Sequence, residues 1–350
     1  MLARDPRLPY WPTVVIPSDD VPRHCWRAWR RTGIGGSDVA KILGECPFGT
    51  ARDLYYDKKG IVDASDEESN KWQKRYGHDM EDYVAEMFSE VTGYPIFKVP
   101  IMFRSPEHPY MLADLDYFCI LPDGTIAVLE IKTTSPDATG KWWDGKKPVI
   151  PLNYQYQGRH YMSVMKLNKV FYACLHGNSE QYLIIREMDR DLEIESELIF
   201  LEGDFWHNNV LADVPPAYRE AGPLCEESVR RHHGPADPSA PHVILPDEVG
   251  ALVPRFIAMQ QEKNAYVRQM ESEIKRMKAI ITDHMGISCS ASCYAGGQEY
   301  VLSFNTSVKA KIAKAELEAI QNRMPEVYEE FVSYTEERRF YAKAVAQEAA

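Results

Sequence analysis

The order of elements predicts an α/β fold of the α+β kind: a mixed sheet flanked by helices, followed by a C-terminal helical appendage with a small β-hairpin. Three observations carry this expectation. The first is a hairpin pattern at 111–132, where apolar runs at 111–121 and 126–132 flank the turn residues Pro122, Asp123, Gly124 and Thr125. The second is the succession of patterns around it, which runs helix, strand, hairpin, helix, strand. The third is a shift at 215–250 to Pro, Gly, Arg and His, including Gly234-Pro235-Ala236-Asp237-Pro238, which reads as a linker. The 350 residues accordingly divide into an N-terminal arm at 1–22, a main domain at 23–214, a linker at 215–250 and an appendage at 251–350.

Taken in order, the arm carries prolines and little periodicity, so it reads as extended. A helix is expected over 23–31. The glycines of Thr32-Gly33-Ile34-Gly35-Gly36-Ser37-Asp38 precede the helical run 39–43, with Ser37 or Asp38 as N-cap. Backbone N–H groups left open there, with the helix dipole, suit an anion over which Arg30 or Arg31 closes, although glycines and a capping serine equally need no ligand. No Gly-Lys-Ser/Thr follows, which excludes a Walker loop. Over 72–91, Tyr76, Met80, Tyr83, Val84, Met87, Phe88 and Val91 fall at helical spacing, with Glu81 bordering the stripe and Gly77 on the same face. Residues 95–103 are strand-like.

After the hairpin, 133–150 reads as a loop whose Trp142, Trp143 and lysines suit either stacking on a nucleic-acid end or core packing. A helix follows from 151, then strands at 169–176 and 181–187 and a helix at 192–210. In the appendage, Val267, Met270, Ile274, Met277 and Ile281 alternate three and four apart, a seam for a paired helix. A hairpin at Gly296-Gly297 and a helix over 315–334 complete it. Cys289 and Cys293 lack a second ligand pair at zinc spacing.

Composition bounds the function. With 45% apolar and 11% aromatic residues the chain can bury a large core. No apolar run reaches membrane length, Met1-Leu2-Ala3-Arg4-Asp5-Pro6 lacks a signal-peptide core, and seven scattered cysteines suit reduced thiols, so a cytoplasmic location is expected. A net charge of −12 argues against a broadly basic nucleic-acid binder, yet leaves room for a nuclease whose positive charge is confined to a channel. Local basic clusters exist at Arg23, Arg27, Arg30 and Arg31, at Lys71, Lys74 and Arg75, and at Lys141, Lys146 and Lys147. Each also reads as a solvated face.

In the second hairpin strand the two-residue period puts Glu130 and Lys132 on one face with Ile126 and Val128, roughly 6.6 Å apart along the strand. Leu129 and Ile131 take the other face. Folding about Asp123-Gly124 brings Asp116 within about one residue of the position opposite Glu130 and leaves Asp114 farther off. Two carboxylates beside a lysine suit a divalent cation. The competing reading is a sheet salt bridge between Glu130 and Lys132.

Five motifs in order, Arg30 with Gly33-Ile34-Gly35-Gly36-Ser37-Asp38, Gly77-His78-Asp79-Met80-Glu81, Ala113-Asp114-Leu115-Asp116, Leu129-Glu130-Ile131-Lys132-Thr133-Thr134 and Tyr154-Gln155-Tyr156-Gln157, resemble the YqaJ viral recombinase family. These are lambda-exonuclease-like phage nucleases of the PD-(D/E)XK superfamily with a restriction-endonuclease-like core, and the resemblance covers roughly 23–210. It implies Asp116, Glu130, the Ile131 carbonyl and Glu81 as ligands of Mg²⁺, with Mn²⁺ able to substitute and one or two ions per site. It further implies Lys132 as catalytic lysine, Gln157 as the helix glutamine beside it, and Arg30 and Ser37, with Gly35 and Gly36, around a 5′-terminal phosphate. Asp114-Leu115-Asp116 offers two aspartates where the family shows one, so Asp114 stays a second candidate, as do Trp142 and Trp143 for DNA.

The implied activity is 5′-to-3′ digestion of linear double-stranded DNA, leaving 3′ single strands for recombination in the bacterial host of a phage or prophage. The implied partners are duplex ends, a single-strand annealing recombinase and a homo-oligomer, by resemblance a trimer. A structure-specific or restriction-like endonuclease on the same core and a non-catalytic DNA-binding module are the competing readings.

Overall fold

The structure, a computed structural model, describes residues 4–19, 21–61, 71–307 and 312–333. Met1–Ala3 and Tyr334, named in the expectations above, lie outside them. The chain forms two compact units, Met1–Gly234 and Pro235–Ala350.

The first unit begins with β1 (Thr13–Pro17), α1 (Arg23–Arg30), β2 (Ile34–Gly35), α2 (Gly36–Ile42), α3 (Ala51–Lys59) and α4 (Lys71–Thr92). Strands β3 (Ile96–Phe97), β4 (Ile101–Arg104), β5 (Met111–Ala113), β6 (Tyr117–Ile120) and β7 (Ile126–Thr133) follow. A 3-10 turn, Pro136–Trp142, leads into the ribbon β8 (Trp143–Asp144) and β9 (Lys147–Pro148). Then come α5 (Leu152–Met165), β10 (Lys169–Leu175), β11 (Leu183–Asp189), α6 (Leu192–Asp204) running into a π-helical turn at Phe205–Leu211, and α7 (Gly222–His233).

Five strands form the main sheet in the order β11-β10-β7-β6-β3, with β7 and β10 parallel and the other pairs antiparallel. This is the mixed sheet expected. The β6–β7 turn uses its predicted residues: Gly124 takes φ 84°, and Asp123 Oδ1 accepts from the Thr125 N–H at 2.9 Å. Parallel β7 and β10 need a crossover, which α5 supplies. One face of the sheet packs on α5 through Val128, Val170, Tyr172 and Met162; the other packs on α4 through Leu129, Ile131, Val84 and Phe88. The alternation read along β7 therefore decides which residues meet α5. Each such side chain, fully buried, contributes about 1.5–3 kcal/mol.

Several expectations are corrected. The run 111–121 is not one strand: β5 belongs to a second sheet, β1-β4-β5-β2, and the chain leaves it at Asp114 to enter the main sheet at β6. The run 95–103 breaks at Pro100, whose missing N–H cannot continue a ladder. The arm is no free extension, because β1 pairs antiparallel with β4 and Leu8 is buried. Helix α3 went unread, although Thr50-Ala51-Arg52-Asp53 is a capping signal: Thr50 accepts from the Asp53 N–H at 3.0 Å and Asp53 from the Thr50 N–H at 2.7 Å. Inside the expected linker, α7 is an ordered helix fastened by buried Ser228, which donates to Asp53 Oδ1 at 2.7 Å. Composition missed it because its contacts are polar.

The second unit contains a short helix, α8 (Asp247–Gly250), then α9 (Leu252–Met285), the hairpin β12 (Ser290–Ala295) with β13 (Gln298–Ser303), α10 (Lys314–Arg323) and α11 (Pro325–Phe331). Gly296 and Gly297 take φ 60° and 81° in the turn. Pro325 interrupts the helix expected over 315–334, because it cannot continue the hydrogen-bond ladder. The seam of α9 from Val267 to Ile281 is exposed.

Candidate active site

The β6–β7 register pairs Tyr117 with Leu129, so Asp116, one residue before β6, falls across from Glu130. The carboxylate of Asp116 accepts from the Ile131 N–H at 2.8 Å, and Glu130 is buried. Glu130 Oε1 accepts from Lys132 Nζ at 2.5 Å and from Gln157 Nε2 on α5. Both donors approach the same oxygen. Glu130 Oε2 is buried with no hydrogen-bond partner. The Lys132 ammonium also lies over the Tyr154 ring, 5.1 Å from its centroid.

The electrostatics are those of a site short of positive charge. Burial and the charges of Asp116 and Glu81 push the Glu130 carboxyl up to about 8, against the pull of Lys132. Asp116 is raised by burial, although Lys132 and the Ile131 N–H oppose it. Glu81, on α4, is raised by burial and by Asp116. Lys132 moves up, because Glu130 and Asp116 outweigh a burial that alone disfavours the ammonium. Burial and mutual repulsion thus disfavour ionisation of these carboxylates, although Lys132 opposes this at Glu130 and Asp116 and Lys98 at Asp116 and Glu81.

A hard divalent cation fits this donor set, since it would satisfy the orphaned Glu130 oxygen and relieve the repulsion. Among the described residues, no three His, Cys, Asp or Glu side chains already converge as a complete ligand cluster. Backbone or water oxygens would therefore have to complete the coordination. Asp114 has other partners, accepting from Ser18 Oγ at 2.5 Å and from Trp26 Nε1 at 2.7 Å, although its charge also helps to raise Asp116.

Next to this carboxylate group lies a second cluster of charged side chains, around Arg30, Asp38 and Lys58. Arg30 donates to Asp38 at 2.5 Å and to Ser37 Oγ at 3.3 Å. Asp38 also accepts from the Gly35 N–H at 3.0 Å and pairs with Lys58 at 2.8 Å. Burial alone would raise Asp38; Arg30, Lys58 and Lys41 hold it far below the usual carboxylate range. The expected N-cap is corrected: Gly35 caps α2 and Asp38 is its third residue, so the Gly35 N–H is already taken. Any anion here would be held by the Arg30 and Ser37 side chains. A Cβ at Gly35 would overlap the Arg30 guanidinium, and one at Gly36 would lie 2.8 Å from the Tyr161 ring and 3.0 Å from Gln157 Cγ. Gly36 therefore lets α2 approach α5 at Gln157, the residue that touches Glu130, and Gly35 leaves room for the Arg30 guanidinium. Lys58 drew no attention in the sequence, since a lysine in an amphipathic helix ordinarily faces solvent.

Trp142 does not face a ligand. It is buried and packs on Tyr154, ring centroids 5.7 Å apart, so its DNA-stacking reading is withdrawn. Trp143 is exposed.

Comparison with known proteins gives four findings. Residues 25–168 match the family described as YqaJ-like viral recombinase domain. The Bacillus subtilis (strain 168) protein named "Uncharacterized protein YqaJ" is 26% identical over 335 residues, spanning 95% of this chain and 98% of that protein. Among solved structures, an alkaline exonuclease (LHK-Exo) from Laribacter hongkongensis is similar at 15% identity and TM-score 0.44, covering 55% of this chain and 94% of its own. A phage-related exonuclease from Haemophilus somnus 129PT is similar at 12% identity and TM-score 0.39, over 54% of this chain and 99% of its own.

Proposed function

We propose that this chain, whose residues 25–168 match the family described as YqaJ-like viral recombinase domain, is a phage-type deoxyribonuclease that digests linear double-stranded DNA from 5′-phosphorylated ends and leaves 3′ single strands. One observation carries the reading: Glu130, buried with an unpartnered oxygen and pushed up to about 8, beside Asp116 and Lys132. Asp116, Glu130 and Glu81, with the Ile131 carbonyl, would hold Mg²⁺, or Mn²⁺ in its place, as one or two ions. A cation so held supplies acidification of a water and neutralisation of phosphate charge. Lys132 sets an ammonium where negative charge grows on the phosphoryl oxygens. Gln157 holds Glu130 in place from α5. Arg30 and Ser37 grip the terminal phosphate.

The partners belonging to this reading are DNA ends, a single-strand annealing recombinase and further copies of the chain as a trimer, in the cytoplasm of a phage's bacterial host. No helix among the described residues is long and apolar enough to cross a membrane.

Linear duplex labelled at either end, bearing 5′-phosphate or 5′-hydroxyl, tests the proposal in Mg²⁺ and in chelator. Mg²⁺-dependent release should begin at phosphorylated 5′ ends; release starting at 3′ ends, or none, refutes it. Arg30→Ala is expected to reduce the preference for phosphorylated over hydroxyl ends about 10–100-fold, the worth of a charge-assisted contact. Gly35→Ala should act in the same direction by displacing the guanidinium. An unchanged end preference in both variants would remove the phosphate role from this cluster.

A further inference from the structure

The ribbon after the candidate active site carries positive charge that the chain does not balance. Lys141, Lys146, Lys147 and Arg186 form no ion pair with a carboxylate among the described residues, in a chain with 52 acidic against 40 basic residues. Asp144 stands opposite Lys147 in the β8–β9 register without forming one. Two exposed aromatic rings lie among these cations. Trp143 is 44% exposed with the Arg186 guanidinium 4.7 Å from its ring centroid, and Phe48 is 63% exposed with Lys141 Nζ at 5.9 Å.

The platform is anchored. Arg186 donates to the Ile185 carbonyl at 2.8 Å and the Trp142 carbonyl at 3.5 Å, while its Nε is buried without a partner. Trp142 ties the ribbon to Tyr154, the ring beneath the Lys132 ammonium. Exposed rings alternating with uncompensated cations are what a single strand of nucleic acid binds: bases stack on the rings and phosphates meet the cations. A duplex keeps its bases stacked on each other and would use only the cations.

We infer that Trp143 and Phe48, with Lys141, Lys146, Lys147 and Arg186, form a stacking platform for the single-stranded DNA that digestion exposes. The inference rests on the nuclease reading for the source of its ligand, but its test does not need turnover. In chelator, the full-length protein binds a short labelled single strand of mixed sequence, and separately the blunt duplex of that sequence, with anisotropy as the readout. Trp143→Ala should weaken single-strand binding about tenfold and duplex binding less than twofold, and Trp143→Phe should restore most of the loss. Lys146→Ala with Lys147→Ala should weaken both ligands and flatten the salt dependence by about 1.4 units of slope for the single strand and about 1.8 for the duplex. Equal loss for both ligands in Trp143→Ala, or no loss, overturns the platform even where Mg²⁺-dependent release is intact. Absence of that release with strand-selective loss preserved overturns the nuclease reading instead.

Discussion

Lys132→Ala is expected to lower nucleotide release from linear duplex DNA by about 10²–10³-fold, the usual cost of removing one preorganised charge from a transition state. The ammonium bonds Glu130 at 2.5 Å and lies within the field of Asp116, so it sits beside the two carboxylates proposed to hold the cation. Its loss should not unfold the protein. Burial and the neighbouring carboxylates already raise the Glu130 carboxyl, so losing the ammonium favours its protonation over a bare buried charge. Initial rates on end-labelled DNA, alongside a thermal melt, check both halves. A variant that keeps more than a tenth of wild-type rate would show that the ammonium is a sheet ion pair with no part in the chemistry.

Asp53→Ala is expected to cost about 3–5 kcal/mol of stability, because it leaves buried donors and a cation without their acceptor. Asp53 accepts from the Thr50 N–H and hydroxyl at 2.7 and 2.9 Å, from Ser228 at 2.7 Å, from Arg231 at 2.7 Å and from His232 Nε2 at 2.7 Å. These bonds fasten α7 to the start of α3. The thermal midpoint should fall by roughly 10 °C. Burial alone would raise the Asp53 carboxyl, but Thr50, Ser228 and Arg231 hold it below the ordinary carboxylate value. A lowered acid stabilises the fold at pH above its unfolded pKa, and that contribution disappears as pH falls through the lower folded value. The gap between wild type and variant should therefore be full at neutral pH and shrink below about pH 4. A midpoint within a degree or two of wild type at neutral pH would mean that α7 docks without this carboxylate.

What could be read from the chain differs between elements for identifiable reasons. Helix α4 and strand β7 were legible because their burial is periodic, and one sheet face meets α5 while the other meets α4. The β6–β7 turn was legible because Asp123 and Gly124 have few other uses. Helix α3 was missed because its signal is a cap, and α7 because its fastening is a carboxylate cage. Trp142 and Trp143 are adjacent in a loop and compositionally alike, yet one is core and the other is exposed. Only the packing of Tyr154 against one of them separates the two.

The candidate site divides along the same line. The sequence alone determined the mixed α/β class, the hairpin and the placing of Glu130 and Lys132 on one strand face, because these follow from the two-residue period and from turn chemistry that acts within a few residues. Only the tertiary structure decided that Asp114 belongs to Ser18 and Trp26 while Asp116 reaches the Ile131 N–H, that Gln157 and Lys132 crowd one oxygen of Glu130 and leave the other bare, and that Asp38 takes the Gly35 N–H from any anion. Those outcomes rest on contacts between residues far apart in the chain. Which polar groups find partners, and which are left without one, is settled when helices and sheets close on each other and exclude water.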